Sequence, residues 1–247
     1  MINCHCHSNI SYCADESMTL ELIAEFVRNA DFIEQTAVTD HSFAIYFPSD
    51  VAWSWSYMQD STIFDKFENA GTKKLLHHIS DMKKYSELIP GVEVELMHDG
   101  RFTLDESLLP EIDIVIGSVH WLNAPSDPGD ILKYWEKHTL QILEKNVDIL
   151  GHPYRWIVNI LGSVPEKSIM RIAKAALDTN TALELNSHYE IDTDIAMLRI
   201  AAEFNIPIAF SIDAHWPSEL KNFDYHYQVI KDAGLSLNEL TIFNLNR

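Results

Sequence analysis

Short apolar runs rich in β-branched residues alternate along this chain with longer segments whose apolar residues recur at spacings of three and four. The short runs fall at residues 2–5, 35–39, 90–96, 113–119, 148–151, 182–186 and 206–212, and their length predicts strands. The longer segments fall at 19–27, 63–85, 131–143, 166–177, 195–204 and 225–233 and predict amphipathic helices. In the first of these, Leu20, Ile23, Ala24 and Val27 share one face, and Thr19 suits an N-cap. Gly234 suits the left-handed residue that ends the last helix.

Strands joined by helical crossovers build a parallel sheet. Seven of them predict an α/β fold with a closed or nearly closed seven-stranded barrel; an open doubly wound sheet is the alternative. The 247 residues match one such domain. No repeat, low-complexity tract or Pro/Gly-rich linker marks a boundary, so a single domain over 1–247 is expected.

Residues 42–86 break the rhythm. A βα connection ordinarily takes about two to six residues, and this one is far longer. Its first part holds Phe43, Tyr46, Phe47, Trp53, Trp55 and Tyr57; its second is the helix expected at 63–85. Three roles are open to the aromatic stretch 42–57: a substrate lid or pocket wall, an interface in a homo-oligomer, and a satellite core.

The net charge of −19, from 18 basic and 37 acidic residues, argues against a nucleic-acid polymer as partner, because phosphate contacts need stripes of Lys and Arg. Bound cations would offset part of the excess, since three divalent ions return about six positive charges; solubility is the other reading. No apolar run is long enough to span a bilayer, and no charged leader with an apolar stretch opens the chain. Cys4, Cys6 and Cys13 are too few and too close for a disulfide framework. A soluble, unprocessed, cytoplasmic chain is therefore expected.

The chemistry collects where strands end. Of 12 histidines, several stand there, in the order His5 and His7, Asp40 and His41, Glu93, His120, His152, Asn186, and Asp213 with His215. In a parallel barrel the strand C-termini face one mouth, so residues scattered along the chain converge. His5 and His7, spaced i, i+2, share one face of an extended segment, and Asp213-Ala214-His215 repeats that spacing with a carboxylate. Neutral imidazole is the commonest metal ligand. Glu93 lies in an apolar run where an unpaired acid is costly; bridging two ions would satisfy it, a buried salt bridge being the alternative. Glu95 shares its face. Cys4 and Cys6 point the other way and read as small buried hydrophobes. Gly151 and Pro153 restrict the backbone around His152, and Asp40 suits a partner that orients a ligand. His77, His78, His98, His138 and His226 lack this placement and read as surface or structural; His188 is a pocket candidate.

As they stand, His5-Cys6-His7-Ser8, Thr39-Asp40-His41, Gly91-Val92-Glu93, His120, Gly151-His152-Pro153 and Asp213-Ala214-His215 resemble, in order, the signatures of the polymerase and histidinol phosphatase (PHP) superfamily. The likeness runs from residue 3 to about 215. It implies a distorted, TIM-like (β/α)7 barrel, two to three divalent ions (zinc, manganese or iron) and phosphoester hydrolysis. Carried over by position, it makes His5, His7, Glu93 and Asp213 ligands of one ion, with Glu93 bridging to a second held also by His120 and His152. His41 and His215 hold the third. Its remaining ligand falls within residues 11–15: spacing lands on Cys13, whereas Asp15 is the harder donor and the expected ligand, with Cys13 the alternative. Where the family has Asp two residues before its first histidine, this chain has Asn3, which can still bond an imidazole N–H.

The implied reaction is in-line attack on phosphorus by a hydroxide bridging two ions, with Glu93, Asp213 and His215 in the catalytic set. Phosphate favours a guanidinium clamp; Arg155, three residues past His152, is the first candidate and Arg101 the second. The expected substrate is a small-molecule phosphate such as histidinol phosphate, a nucleotide or a related metabolite. The rival readings are an amidohydrolase-type C–N hydrolase, which would carry a lysine at a strand end that this chain lacks, and a metal-binding module without turnover.

Overall fold

Nearly every strand position is buried, on both faces, and this explains why the strands read as continuous apolar runs instead of alternating ones. The computed structural model describes residues 1–245. Its strands are β1 (Ile2–Asn3), β2 (Gln35–Val38), β3 (Leu88–Glu95), β4 (Ile114–Ser118), β5 (Ile149–Leu150), β6 (Ala182–Asn186) and β7 (Ile208–Ser211). They lie in the order β1-β2-β3-β4-β5-β6-β7. A doubly wound sheet reverses its strand order at a switch point. This order never reverses, so the fold is the (β/α)7 class and not the open alternative. The pairs β1·β2, β2·β3, β5·β6 and β6·β7 are all parallel, with registers such as Asn3↔Thr36, Val38↔Pro90, Ile149↔Ala182 and Asn186↔Ser211.

The helices are α1 (Leu20–Asn29), α2 (Ser42–Tyr46), α3 (Ser49–Ser54), α4 (Thr62–Met82), α5 (Pro128–Leu143), α6 (Arg155–Leu161), α7 (Glu166–Asp178), α8 (Thr193–Phe204) and α9 (Asp224–Asp232). Thr19 caps α1, its hydroxyl oxygen accepting from Leu22 N at 3.2 Å, and Ile23, Ala24 and Val27 are buried beneath. Helix α5 starts three residues before its first apolar residue. Asp127 accepts from Gly129 N and Asp130 N, and Pro128 occupies the first turn, where its missing N–H costs nothing. Gly234 takes φ +74° after α9. No helix among the described residues is long and apolar enough to cross a membrane.

Contacts sort the chain into two units. The first is Met1–Ile116 with Ile212–Lys221, and the second is Gly117–Ser211 with the chain from Asn222 on. In the first unit, the long connection after β2 carries α2, α3 and α4. Helix α2 is five residues long and wholly buried, far below the length at which a helix holds by itself. Packing on α4 sustains it: the rings of Tyr46 and Phe64 stack at 5.2 Å, and Gly71 of α4 lies beneath Tyr46. In the second unit, His226 Nε2 of α9 donates to the carbonyls of Leu185 and Ser211 at 2.9 and 3.1 Å. It thereby ties the ends of β6 and β7 to that helix.

Two predictions follow from this packing. Gly→Ala inside a helix ordinarily stabilises by up to ~1 kcal/mol, but a methyl group at position 71 would collide with the Tyr46 ring. Gly71→Ala should therefore destabilise, by about 1–3 kcal/mol, in urea unfolding. His138 on α5 has its Nε2 buried without a hydrogen-bond partner, and burial lowers its pKa to about 4. The unfolded chain then binds the extra proton between pH 6.5 and about 4, so stability from this group is lost as pH falls through that window. His138→Leu should flatten the fall in stability there relative to the parent chain.

Candidate metal centre

In the first unit the backbone goes on pairing past the ends of its strands, and this assembles the site. His7 N donates to Ala214 O at 3.0 Å and Asp213 N to His5 O at 2.9 Å, while Thr39 N reaches Cys6 O at 2.8 Å. Residues 5–7 are thus held between the segments that carry Asp213 and Asp40. His41 and Glu93 form a further parallel bridge. Asn3 acts on backbone: its side-chain oxygen accepts from Ile212 N at 3.0 Å and His5 N at 3.4 Å. The bond to an imidazole expected of it is replaced by this clamp.

The side chains so placed are buried: His5, His7, His41, Glu93, Asp213 and His215 are each at most 6% exposed. His5 Nε2 lies 3.1 Å from His7 Nε2 and 3.5 Å from both Glu93 Oε2 and Asp213 Oδ1. His7 Nε2 is 2.9 Å from Asp213 Oδ1, and His41 Nδ1 is 2.6 Å from Glu93 Oε2. Two donors bound to one ion at about 2.1 Å stand about 3.0–3.4 Å apart, depending on geometry, so most of these spacings suit edges of a coordination shell. Ligand atoms of His5, His7 and Glu93, and of His7, His41 and His215, each fall within 4.8 Å of one another. The donor set of imidazoles and carboxylates suits zinc, manganese or iron.

The protonation states fit the same purpose. Burial, followed by the charge of His41, lowers the pKa of His7, favouring the neutral ligand form. Burial alone would raise Asp213, but His5, His7 and His215 overturn that and hold it well below the usual carboxylate range. Asp213 has φ +55°, a left-handed conformation that costs a non-glycine residue about 1–3 kcal/mol and clusters at functional sites.

Asp40 organises the inner side of the cluster. It accepts from Ser8 Oγ and Ser11 Oγ at 2.6 Å each, from Ser8 N at 2.8 Å and from His78 Nε2 at 2.8 Å. Burial opposes its ionisation, yet His78, His7 and Ser11 bring its pKa down to about 2. Because Ser11 donates to Asp40, its oxygen is left to accept from His7 Nδ1 and His41 N at 3.1 Å. That fixes the His7 tautomer with its Nε2 lone pair facing His5 and Asp213. His215 Nδ1 likewise donates to Asp213 O at 2.8 Å. His78, read from sequence as surface or structural, is a buried member of this network. The available signal was its place on α4, on the face of Leu75, Ile79 and Met82.

Asp15 lies beside the cluster through its backbone, its N–H donating to His215 O at 2.9 Å, but its carboxylate is turned elsewhere. It is exposed, and its carboxylate accepts from Ser17 N and Ser17 Oγ at 2.9 and 2.5 Å. Cys13 is half-buried, and its thiol pKa is pushed up first by burial and then by Asp213, Glu93 and Asp40, which sets it in the field of the site's own carboxylates. Arg101 is paired with Asp65 and Asp99, at 2.8 Å each.

The second unit holds its own group. The rings of His120 and His152 meet edge-on at 4.8 Å. His152 has φ +24°, and its N–H donates to Glu184 Oε2 at 2.5 Å, an oxygen shared with Asn186 Nδ2 at 3.1 Å. Glu184, buried on β6, went unread in the sequence; an acid inside an apolar strand was its signal. Arg155 opens α6 instead of lying in a loop, and its guanidinium sits 3.6 Å from the centroid of Tyr189.

With this geometry in hand, residues 3–188 match the family model for the PHP domain. The chain belongs to the PHP domain family. The PHP chain is 30% identical over 129 residues to the DNA polymerase/3'-5' exonuclease PolX of Bacillus subtilis, covering 52% of the chain and 22% of that protein. It is 30% identical over 162 residues to a probable phosphatase of Thermoanaerobacter sp. (strain X514), covering 61% of each. The matches therefore span less than two thirds of these relatives. Among solved structures, histidinol phosphate phosphatase from Lactococcus lactis, complexed with zinc, L-histidinol and phosphate, superposes with a TM-score of 0.57 at 16% identity over 95% of this chain and 94% of that one; at that identity the likeness is one of fold.

If the Asp40 network orients His7, His78→Ala and Ser11→Ala should weaken zinc or manganese binding by about 10–100-fold in competition with a chelator. His77→Ala, at the exposed neighbouring position, should not.

Proposed function

We propose that this PHP domain is a metal-dependent phosphoesterase, acting as a phosphomonoesterase on a small molecule. The observation that carries the reading is the buried set of His5, His7, Glu93 and Asp213, whose donor spacings and charge states suit a divalent cation. His41 and His215 extend the set, and the family pattern adds His120 and His152. Two to three ions of zinc, manganese or iron are assigned. For the remaining ligand position Cys13 is better placed than Asp15, because the Asp15 carboxylate is turned to Ser17. The bound ions would supply an activated water and neutralise charge on the phosphoryl oxygens.

The chain's own residues do the rest. Glu93 and Asp213 place negative charge where cations are wanted, and Ser11 with Asp40 keeps the His7 lone pair aimed at them. Arg155 is assigned as the phosphate clamp: its guanidinium is held over the Tyr189 ring at 3.6 Å, a contact that supports the side chain while its N–H groups supply what an anion takes. The net charge of −19 favours a small phosphate over a nucleic-acid polymer.

Metal analysis after reconstitution should find two to three ions per chain, one fewer in Cys13→Ser and no fewer in Asp15→Ala. Phosphate release from a phosphomonoester should fall about a hundredfold or more in Asp213→Ala and His152→Ala. Fewer than one ion per chain would remove the metal centre. Ammonia released from cyclic amides without phosphate release would replace this reading with a C–N hydrolase.

A further inference from the structure

The aromatic stretch 42–57 divides into two parts. Tyr46, Phe47 and Tyr57 are buried, with Phe47 and Tyr57 stacked at 4.4 Å, and form a satellite core. Trp53 does not join it: 46% of its surface is exposed. Trp53 and Trp55 stand 6.4 Å apart at 72°, and both meet Phe43 edge-on, at 5.8 and 5.1 Å. Phe43 in turn lies flat on His41, with centroids 4.4 Å apart and planes at 17°. An unbroken aromatic series thus leads from the metal cluster to an exposed indole. Trp55 ends α3 at φ +54°, a conformation that costs free energy in a non-glycine residue and persists where its surroundings hold it.

From this placement we infer that Trp53, with Trp55 as an inclined side wall, is a stacking platform for a planar heteroaromatic ring carried by the substrate, whose phosphate lies at the His41 end. The inference rests on the phosphoesterase reading. Base-sized rings stack on exposed indoles with little regard to their identity. Two indoles inclined at 72° make a corner for a flat group, not the surrounding cage that a quaternary ammonium group takes. A whole phenyl ring separates His41 from Trp53, so the substrate ring must be spaced from its phosphate by a sugar or short chain. Nucleoside monophosphates and imidazole-bearing alcohol phosphates both have that form.

The test compares kcat/KM for adenosine 5'-monophosphate, histidinol phosphate and ribose 5-phosphate, the last keeping the nucleotide's phosphate and sugar without its ring. The parent chain should prefer a ring-bearing ester at least tenfold over ribose 5-phosphate, and the better of the two names the source. Trp53→Ala should lower that preference at least tenfold, and Trp53→Phe, which keeps a π-face, should restore most of it. Separately, adenosine or histidinol should quench tryptophan fluorescence saturably in the parent chain and not in Trp53→Ala. Quenching without phosphate release from any ester would overturn the phosphoesterase reading and keep the platform. Equal preference in parent and Trp53→Ala, with no quenching, would overturn the platform and leave the phosphoesterase reading standing. A halved mass of Trp53→Ala in light scattering, with preference unchanged, would make Trp53 a contact between copies and likewise overturn it.

Discussion

The burial of two carboxylates, Glu93 and Asp213, among four imidazoles is the constraint on which the first unit depends. An anion withdrawn from water is costly unless it is paired, and here histidines stand close to both: His5 and His7 beside each, His41 beside Glu93 and His215 beside Asp213. Such a set is stable with neutral imidazoles only when a cation completes it. The left-handed backbone at Asp213 shows that the chain accepts strain to put this carboxylate in place.

Behind the donors stands a second arrangement that does not bear on the ions directly. Asp40 gathers three side-chain donors, and through Ser11 it decides which nitrogen of His7 carries the proton. Burial would make Asp40 an expensive residue, but His78, brought from α4, offsets the cost. The long connection after β2 therefore has two attachments to the site, His78 from behind and Phe43 stacked on His41. That gives a physical reason for α2 to be buried and for Gly71 to lie under Tyr46: the connection must be rigid if its residues are to orient ligands.

The signatures shared with the family occupy the strand ends, while the tryptophans lie on the connection between β2 and β3. On the reading proposed above, chemistry and selectivity fall on different parts of the chain. A metal cluster can be kept while the group it is presented with changes, which is how one fold serves many substrates.

The sequence by itself determined the seven strands and the residues standing at their ends, because runs buried on both faces and amphipathic helices leave distinct patterns; the strand order that excludes a doubly wound sheet came from the tertiary structure. The sequence also determined that His5 and His7 share one face, since an extended backbone places i and i+2 together; the same spacing in Asp213 and His215 is carried on a left-handed Asp213, which the sequence did not foretell. The sequence did not disclose α2, α3 or α6, which are too short to show a period and exist because neighbours hold them. Nor did it show that the Asp15 carboxylate turns to Ser17, the observation behind the preference proposed for Cys13, because no donor preference foretells a turn. Only the tertiary structure recruited His78 and Glu184, because a hydrogen bond between residues far apart along the chain leaves no local pattern. The exposed indole of Trp53 is the same kind of outcome, set by which aromatic residues the core had room to take.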